Sequence, residues 1–215
     1  MIIHILAGGP VELLPDLSVF IKDEVTWIGV DRGVYTLLEH GIKPNIAFGD
    51  FDSISQEELQ EVEKEVAQLY QFYPEKDETD MELALNWAID QEPEKIRIFG
   101  ATGGRLDHMF GNLQLLIGAL KKDAKLDIEM IDQQNIIFVK APGTYKVGKS
   151  NDKKYISFIP ITSEVNGLTL KGFKYPLNDR HIPLGSTLCI SNEILMDNGT
   201  FSFSDGILMI VRSTD

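Results

Sequence analysis

Cysteine is almost absent from this chain, which has one, Cys189, among 215 residues. A single cysteine excludes an intramolecular disulfide and a cysteine-rich zinc site, and we expect a cytoplasmic protein. Positive charge is also scarce, because 20 lysine and arginine residues stand against 33 aspartate and glutamate residues, a net charge of −13. Nucleic acids and anionic membrane surfaces both select clustered positive charge, so we expect neither as a partner.

Long apolar runs are missing as well. No stretch approaches the roughly 20 residues of a membrane-spanning helix. The short apolar N-terminus breaks at Gly8 and Gly9 and lacks a basic leader, so we do not expect it to be a signal peptide. What remains is ordinary globular composition, with 43% hydrophobic and 25% charged residues, which excludes wholesale disorder.

The first two-thirds of the chain alternate short apolar runs with helical patterns. The runs lie at residues 2–6, 25–30, 46–48, 69–73, 96–99 and 128–131. The helical patterns lie at residues 34–40, 55–68 and 79–90 and from about residue 107. Capping-box sequences begin two of these helices, at Ser55 and at Thr79. This alternation predicts an α/β domain at residues 1–134, an open and mainly parallel sheet with flanking helices.

Helical spacing disappears after about Asn135. Short strand candidates follow at residues 136–139, 155–161, 165–170, 186–191, 200–203 and 207–211. The intervening turns carry Pro142-Gly143, Asn166-Gly167, Asn198-Gly199 and Asp205-Gly206. Asn-Gly and Asp-Gly are typical of hairpin turns. The pattern therefore predicts an all-β, sandwich-like domain at residues 135–215, without a separating linker.

Acidic residues concentrate where the predicted parallel strands end, and ligands of open α/β sheets bind beyond those ends. The sharpest cluster is Gly49-Asp50-Phe51-Asp52-Ser53. Two aspartates two residues apart on an extended strand end point the same way and can share one divalent cation. Mg²⁺ prefers such carboxylates together with substrate phosphates. The alternative interpretation is that the pair merely ends a strand and caps the next helix.

A second cluster, Lys76-Asp77-Glu78-Thr79-Asp80, begins a helix. Asp80 lies in the first helical turn, where the macrodipole favours an anion or a metal–phosphate complex, and Lys76 can neutralise a phosphate. A plain capped helix with solvated charges would show the same residues.

The third cluster is the glycine-rich turn around Thr102, Gly103 and Gly104, which exposes backbone N–H groups to an anion. Arg105 adds a guanidinium suited to phosphate. No Gly-Lys-Ser/Thr follows, so this is not a Walker A loop. A tight turn between elements is the alternative here, and for Gly8-Gly9 as well. Together the clusters predict a metal–polyphosphate site.

The order and spacing of these segments resemble those of thiamine pyrophosphokinases, above all the bacterial enzymes, over nearly the whole chain. The segments are 31–33, 49–53, 76–80, 103–108 and 191–193. The resemblance implies that ATP and thiamine give thiamine diphosphate and AMP, by Mg²⁺-dependent attack of the thiamine hydroxyl on the β-phosphorus. It also implies a homodimer, with residues 135–215 binding thiamine and forming the dimer.

The resemblance implies roles for individual residues. Mg²⁺ is expected on Asp50, Asp52 and Asp80, and the catalytic set adds Asp77 and Arg105. The expected ATP-binding residues are Gly8, Gly9, Asp31, Arg32, Gly33, Lys76, Thr102, Gly103, Gly104 and Arg105. The expected thiamine-binding residues are Asp107, Ser191, Asn192 and Met209. Met209 is the best match for a tryptophan of eukaryotic members that covers thiamine.

Three other functions stay open at this point. A metal-dependent glycosyltransferase would use the same D-x-D to bind a sugar nucleotide, but it would not release AMP from ATP. A D-x-D phosphohydrolase normally carries the motif after its first strand, whereas here it follows the third. A non-catalytic nucleotide sensor would bind the metal–nucleotide complex without turnover.

Overall fold

The computed structural model describes residues 1–22, 24–51, 54–71 and 77–215. The chain divides into two compact units, the first made of residues 1–115 and 126–133, the second of residues 116–125 and 134–215. Of the predicted features, Asp52, Lys76 and the end of the strand predicted at residues 69–73 lie outside the described residues.

The first unit contains a parallel sheet with flanking helices, as predicted. Its strands are β1 (Ile2–Leu6), β2 (Val25–Val30), β3 (Ile46–Gly49), β4 (Gln68–Gln71), β5 (Lys95–Phe99) and β6 (Ile128–Ile131). Its helices are α1 (Arg32–Glu39), α2 (Gln56–Glu65), α3 (Asp80–Asp90) and α4 (Leu106–Lys122), the last of which continues into the second unit. The strand order is β6-β5-β1-β2-β3-β4, and all neighbours are parallel. The chain therefore reverses its direction of winding between β1 and β5, where α/β sheets open a ligand crevice.

The predicted helix starts follow from local hydrogen bonds. Ser55 Oγ accepts from the Glu58 N–H at 3.2 Å, and Glu58 Oε2 accepts from the Ser55 N–H at 2.7 Å, a complete capping box at α2. At α3, Thr79 Oγ1 accepts from the Glu82 N–H at 3.1 Å. Both caps place the helix starts after their strands, at the carboxyl edge of the sheet.

The connection from β1 to β2 lacks a long helix. Two 3₁₀ turns, Val11–Leu13 and Leu17–Phe20, take its place. Beneath them the buried His4 ring packs edge-on against Trp27, Phe99 and Phe20, at 4.6, 5.5 and 5.9 Å between ring centroids. Arg97 Nη1 donates to His4 Nε2 at 3.3 Å, so the imidazole is held neutral within an aromatic enclosure.

The second unit is all β apart from its share of α4. Its strands are β7 (Asn135–Lys140), β8 (Gly143–Gly148), β9 (Tyr155–Pro160), β10 (Glu164–Lys171), β11 (Leu177–Pro183), β12 (Asn192–Glu193), β13 (Asn198–Phe203) and β14 (Leu208–Ser213). They form two antiparallel layers, ordered β12-β9-β14-β7 and β11-β10-β13-β8. The Phe158 ring lies between the layers, with its centroid 5.4 Å from that of Phe173 and 5.1 Å from that of Phe201. These rings belong to the apolar core that joins the two layers.

Some strand predictions in the second unit are wrong. Residues 186–191 form turns rather than a strand, because Leu188 and Ile190 are exposed and only Cys189 is buried. Strand β11, with its polar centre, was not predicted. Asn166-Gly167 does not connect two strands; it lies inside β10 at a register shift, where Gly167 has φ of 72°.

Within the described residues, no helix is both long and apolar enough to cross a bilayer.

We predict that His4 makes folding stability depend on pH between 6.5 and 4. Burial first, and the nearby Arg97 and Lys22 second, lower the pKa of His4 from 6.5 to about 4. Across this window the unfolded chain binds a proton that the folded chain does not, so stability falls as pH falls, by up to about 3 kcal/mol. Urea unfolding at pH 7, 6, 5 and 4 measures the effect.

The control for this prediction is the exposed His108, because His108→Gln should keep the full pH dependence. His4→Phe, which cannot titrate, should flatten it. If the free energy of unfolding of His4→Phe still fell with pH as steeply as that of the wild type, His4 would not be the source of the pH dependence.

Candidate active site

The backbone is unusually crowded where β1 ends. The Gly9 N–H donates to Gly100 O at 2.8 Å, and a Cβ on Gly9 would lie 2.3 Å from that oxygen. A Cβ on Gly33, at the start of α1, would lie 2.1 Å from Leu6 O. Only glycine permits these approaches. They bring together three segments predicted to bind ATP: Gly8-Gly9, the α1 start and the loop after β5.

The end of β3 joins the same edge. The Asp31 N–H donates to Phe48 O at 2.9 Å, and Asp31 Oδ1 would be 2.4 Å from a Cβ on Gly49. The Asp31 carboxylate therefore lies directly against the backbone beside Asp50. Asp31 and Phe51 have φ of 50° and 58°, a left-handed conformation that is rare outside glycine and concentrates at functional sites.

The conformation of Phe51 corrects one step of the sequence argument. Asp50 and Asp52 were expected to point the same way because they were placed on an extended strand. Strand β3 ends at Gly49, and the chain turns at Phe51, whose buried side chain packs with Val34, Ala47 and Val62. Asp50 is half-buried beside this turn. The strand-alternation argument therefore does not decide whether Asp50 and Asp52 share a cation.

The second acidic cluster lies at the start of α3, the helix that packs against β1, β2 and β3. Asp80 is the first residue of α3 and is partly buried, whereas Asp77 is exposed. Among the described residues, no three histidine, cysteine, aspartate or glutamate side chains are grouped so as to hold a metal ion. The donors that the described edge offers are carboxylate oxygens, from Asp31, Asp50 and Asp80.

The glycine-rich loop after β5 is shaped by left-handed residues. Gly100, Gly103 and Gly104 have φ of 62°, 72° and 60°. The backbone N–H groups of Thr102, Gly103 and Gly104 donate no hydrogen bond to any residue that the structure describes. Unused N–H groups in consecutive left-handed residues form an anion-binding concavity.

Two predicted cations near this edge are engaged by acids. Arg105 donates to both carboxylate oxygens of Asp107, at 3.2 and 2.7 Å, in an exposed bidentate pair. The hydrogen bond from Arg105 lowers the pKa of Asp107 from 3.8 to about 2. Arg32 Nη2 lies 3.6 Å from Glu58 Oε1 on α2. Both arginine side chains are largely exposed, 48% for Arg32 and 72% for Arg105.

Sequence reasoning missed Asp132, which follows β6. Its Oδ2 accepts from Thr102 Oγ1 at 2.8 Å, and the two side chains are each only 6% exposed. Asn112, on α4, donates to Ala101 O at 3.0 Å. The signal was available for Asp132, because an acidic residue directly follows an apolar parallel strand.

The three predicted thiamine-binding residues of the second unit have different surroundings. Asn192 is 2% exposed, and its amide is bonded to both backbone polar groups of Tyr175, at 3.0 and 2.8 Å. Ser191 is exposed with φ of 57°, and its N–H donates to Ser157 Oγ at 2.9 Å. Met209 is half-buried on β14, between Val139 and Ile159.

A small cavity of about 160 Å³ lies in the second unit beside Asn192. Its lining is mainly apolar and aromatic: Leu170, Tyr175, Leu177, Leu188, Cys189, Ile190 and Asn192. Burial raises the pKa of the Cys189 thiol, so this residue contributes apolar packing rather than a thiolate. Such a lining suits part of a flat, apolar ring.

Two family models match the chain. One, described as the catalytic domain of thiamin pyrophosphokinase, matches residues 17–128. The other, described as the vitamin B1 binding domain of thiamin pyrophosphokinase, matches residues 144–208. Between them they cover most of both units.

Individual proteins agree with the family models. The thiamine pyrophosphokinase of Bacillus subtilis (strain 168) is 53% identical over 213 residues, which cover 99% of each sequence. A crystal structure of thiamine pyrophosphokinase from Bacillus subtilis matches with a TM-score of 0.93, 52% identity and 100% coverage of both chains. The thiamin pyrophosphokinase structure from Geobacillus thermodenitrificans matches with a TM-score of 0.91 and 52% identity, covering 100% of this chain and 98% of the other.

Because the backbone is crowded at the end of β1, a glycine-to-alanine substitution should have opposite effects on stability in α1 and in α4. Gly33→Ala should lower the free energy of unfolding by about 1–3 kcal/mol, because the added methyl meets the Leu6 carbonyl, which cannot move aside. Gly118→Ala in α4 meets nothing within 4 Å and should raise it by about 0.5–1 kcal/mol. Urea unfolding measures both, and stabilisation by Gly33→Ala would contradict the close approach.

Proposed function

The chain belongs to the thiamine pyrophosphokinase family, and from this premise we propose that it transfers the diphosphate of ATP to thiamine. The products are thiamine diphosphate and AMP. The observation that carries the proposal is the meeting of four segments at the carboxyl edge of the parallel sheet, around Gly9, Gly33, Gly49 and Gly104. Close backbone approaches and unused N–H groups there suit a polyphosphate rather than a bulky apolar ligand.

Mg²⁺ fits the residues of this edge. The Asp31 carboxylate lies against Gly49 beside Asp50, and Asp80 begins α3 at the same edge. These are hard oxygen donors without sulfur or imidazole, the set that Mg²⁺ prefers in combination with phosphates. Asp50, Asp52 and Asp80 would hold the ion. When bound, Mg²⁺ supplies charge neutralisation and polarisation of the phosphate oxygens.

The chain's own groups supply orientation and electrostatic stabilisation. The N–H groups of Thr102, Gly103 and Gly104 donate hydrogen bonds to phosphate oxygens. Arg105 leaves Asp107 and stabilises the negative charge that develops during transfer. We assign to Lys76 the neutralisation of phosphate charge that its sequence pattern predicts. Asp77, exposed ahead of α3, accepts the proton of the thiamine hydroxyl as the oxygen attacks the β-phosphorus and AMP leaves.

Thiamine recognition is assigned to both units. Asp107, beside Arg105, provides a negative charge for the thiamine cation. In the second unit, Ser191 and Met209 offer an exposed hydroxyl and a thioether, and Asn192 holds Tyr175 at the apolar cavity. Methionine packs favourably on aromatic rings, and Met209 takes the place of the tryptophan of eukaryotic members.

The homodimer is part of the same proposal. We infer that the apolar surface of the dimer is formed by exposed side chains of the second unit: Tyr175, Leu184, Leu188, Ile190, Leu195 and Met196. Its occupant is a second copy of the chain, as the resemblance to thiamine pyrophosphokinases implies.

The activity is tested directly with ATP and thiamine. We expect AMP and thiamine diphosphate in equal amounts, and only when Mg²⁺ is present. Release of ADP, or consumption of ATP without thiamine, would contradict the proposed reaction. Chromatographic separation of the nucleotides and of thiamine diphosphate measures all the products at once.

Neutralising a metal-holding carboxylate should remove the activity. Asp50→Asn and Asp52→Asn should each lower kcat by about a hundredfold or more, because preorganised electrostatic groups contribute about 3 kcal/mol. The matched control is Glu63→Gln on the exposed face of α2, which should keep wild-type turnover. A folded Asp50→Asn protein with near-normal turnover would contradict the assignment.

Charge placed on the apolar surface should separate the dimer. Leu195 is 60% exposed, and Leu195→Glu should give a monomer by size-exclusion chromatography with light scattering. Val19 in the first unit is 61% exposed, so Val19→Glu adds the same charge at matched exposure and should leave the dimer intact. A dimer that survives Leu195→Glu but not Val19→Glu would place the interface elsewhere.

A further inference from the structure

The glycine-rich loop after β5 is anchored by a buried bond that the proposed reaction does not use. Thr102 Oγ1 donates to Asp132 Oδ2 at 2.8 Å, and both side chains are almost completely buried. The Thr102 hydroxyl is therefore committed to the protein interior. Thr102 can meet a phosphate through its backbone N–H, and not through its side chain.

Two further bonds hold the residues before Thr102. The Gly100 carbonyl accepts from the Gly9 N–H at 2.8 Å, and the Ala101 carbonyl accepts from Asn112 Nδ2 at 3.0 Å. Three consecutive residues are thus each tied to a different segment of the first unit. The next two residues, Gly103 and Gly104, have left-handed backbones and no such tie among the described residues.

The end of β6 also holds the other side of the crevice. The Gln133 N–H donates to Leu13 O at 2.7 Å, in the segment that follows Gly8-Gly9. A Cβ on Gly103 would lie 2.3 Å from Leu13 Cδ1, so the glycine loop passes directly over that segment. Asp132 and Gln133 therefore fix two loops at the switch point between β1 and β5.

We propose that Asp132 is a positioning residue for ATP, which it serves by holding Thr102 and so the N–H groups of the glycine loop. The inference rests on the proposed function, because it takes ATP as the ligand of this loop. An unanchored loop with two glycines would have to be ordered on binding, and that entropic cost would weaken affinity. Asp132 does not touch the phosphates, since its carboxylate is buried beneath Thr102.

The test compares Asp132→Leu with Asp132→Asn. Leucine fills the space but cannot accept the Thr102 hydrogen bond, whereas asparagine can. We expect Asp132→Leu to raise KM for ATP about tenfold, the effect of losing one buried hydrogen bond, and to leave KM for thiamine unchanged. Asp132→Asn should restore most of the affinity for ATP. Thr102→Val should reproduce the effect of Asp132→Leu, and the double variant should add little.

Glu129→Gln is the matched control for a purely structural role. Glu129 lies on β6, the strand that Asp132 follows, and it forms ion pairs with Lys95 and Arg97. The Glu129→Gln substitution should lower the melting temperature without changing KM for ATP. If Asp132→Leu likewise lowers only the melting temperature, or raises both KM values equally, the inference is overturned.

Calorimetric titration of ATP with Mg²⁺ separates this inference from the proposed function. If the wild type binds ATP but releases no AMP, the proposed function fails, and the Kd of Asp132→Leu still decides the role of Asp132. A tenfold weaker Kd that Asp132→Asn restores would support it. A wild-type chain that does not bind ATP would overturn both.

Discussion

The contact on which the first unit depends is the backbone-to-backbone approach at the end of β1. Gly9 and Gly33 lie against the carbonyls of Gly100 and Leu6, so that even a single Cβ does not fit at either position. This crowding draws the loop after β5 and the start of α1 onto one strand end. The polar groups of both are then placed at one edge of the sheet. Glycine at these positions is a requirement of packing before it is a requirement of chemistry.

Local signals explain the parts of the fold that sequence predicted well. The capping box at Ser55 and the cap at Thr79 are formed by residues three positions apart, so no tertiary information was needed to place α2 and α3. Strands β1, β2 and β3 are mainly apolar on both faces, and β1, β2 and β6 coincide with the apolar runs. Their carboxyl ends share one edge in any parallel sheet. The candidate site could therefore be located before its geometry was known.

Features that depend on tertiary contacts could not be read from the sequence. Strand β11 is polar along its centre because it lies at the edge of its layer, where Ile182 is buried and Leu177 packs against the core. Phe51 adopts a left-handed backbone because its ring is buried against other elements, and this invalidates the strand-alternation argument for its neighbours. Asp132 lies 30 residues beyond Thr102, so their hydrogen bond exists only in the folded chain. Asn192 likewise acts on Tyr175 through a fold-dependent contact.

In the proposed function, the N–H groups of Thr102, Gly103 and Gly104 in the glycine loop donate hydrogen bonds to the phosphates of ATP. Backbone amide NMR during titration with ATP and Mg²⁺ tests this most directly, because each N–H reports its own hydrogen bond. We expect the largest shifts at Thr102, Gly103 and Gly104, and small ones at the cavity beside Asn192. Shifts confined to the second unit, or absent from the glycine loop, would contradict it.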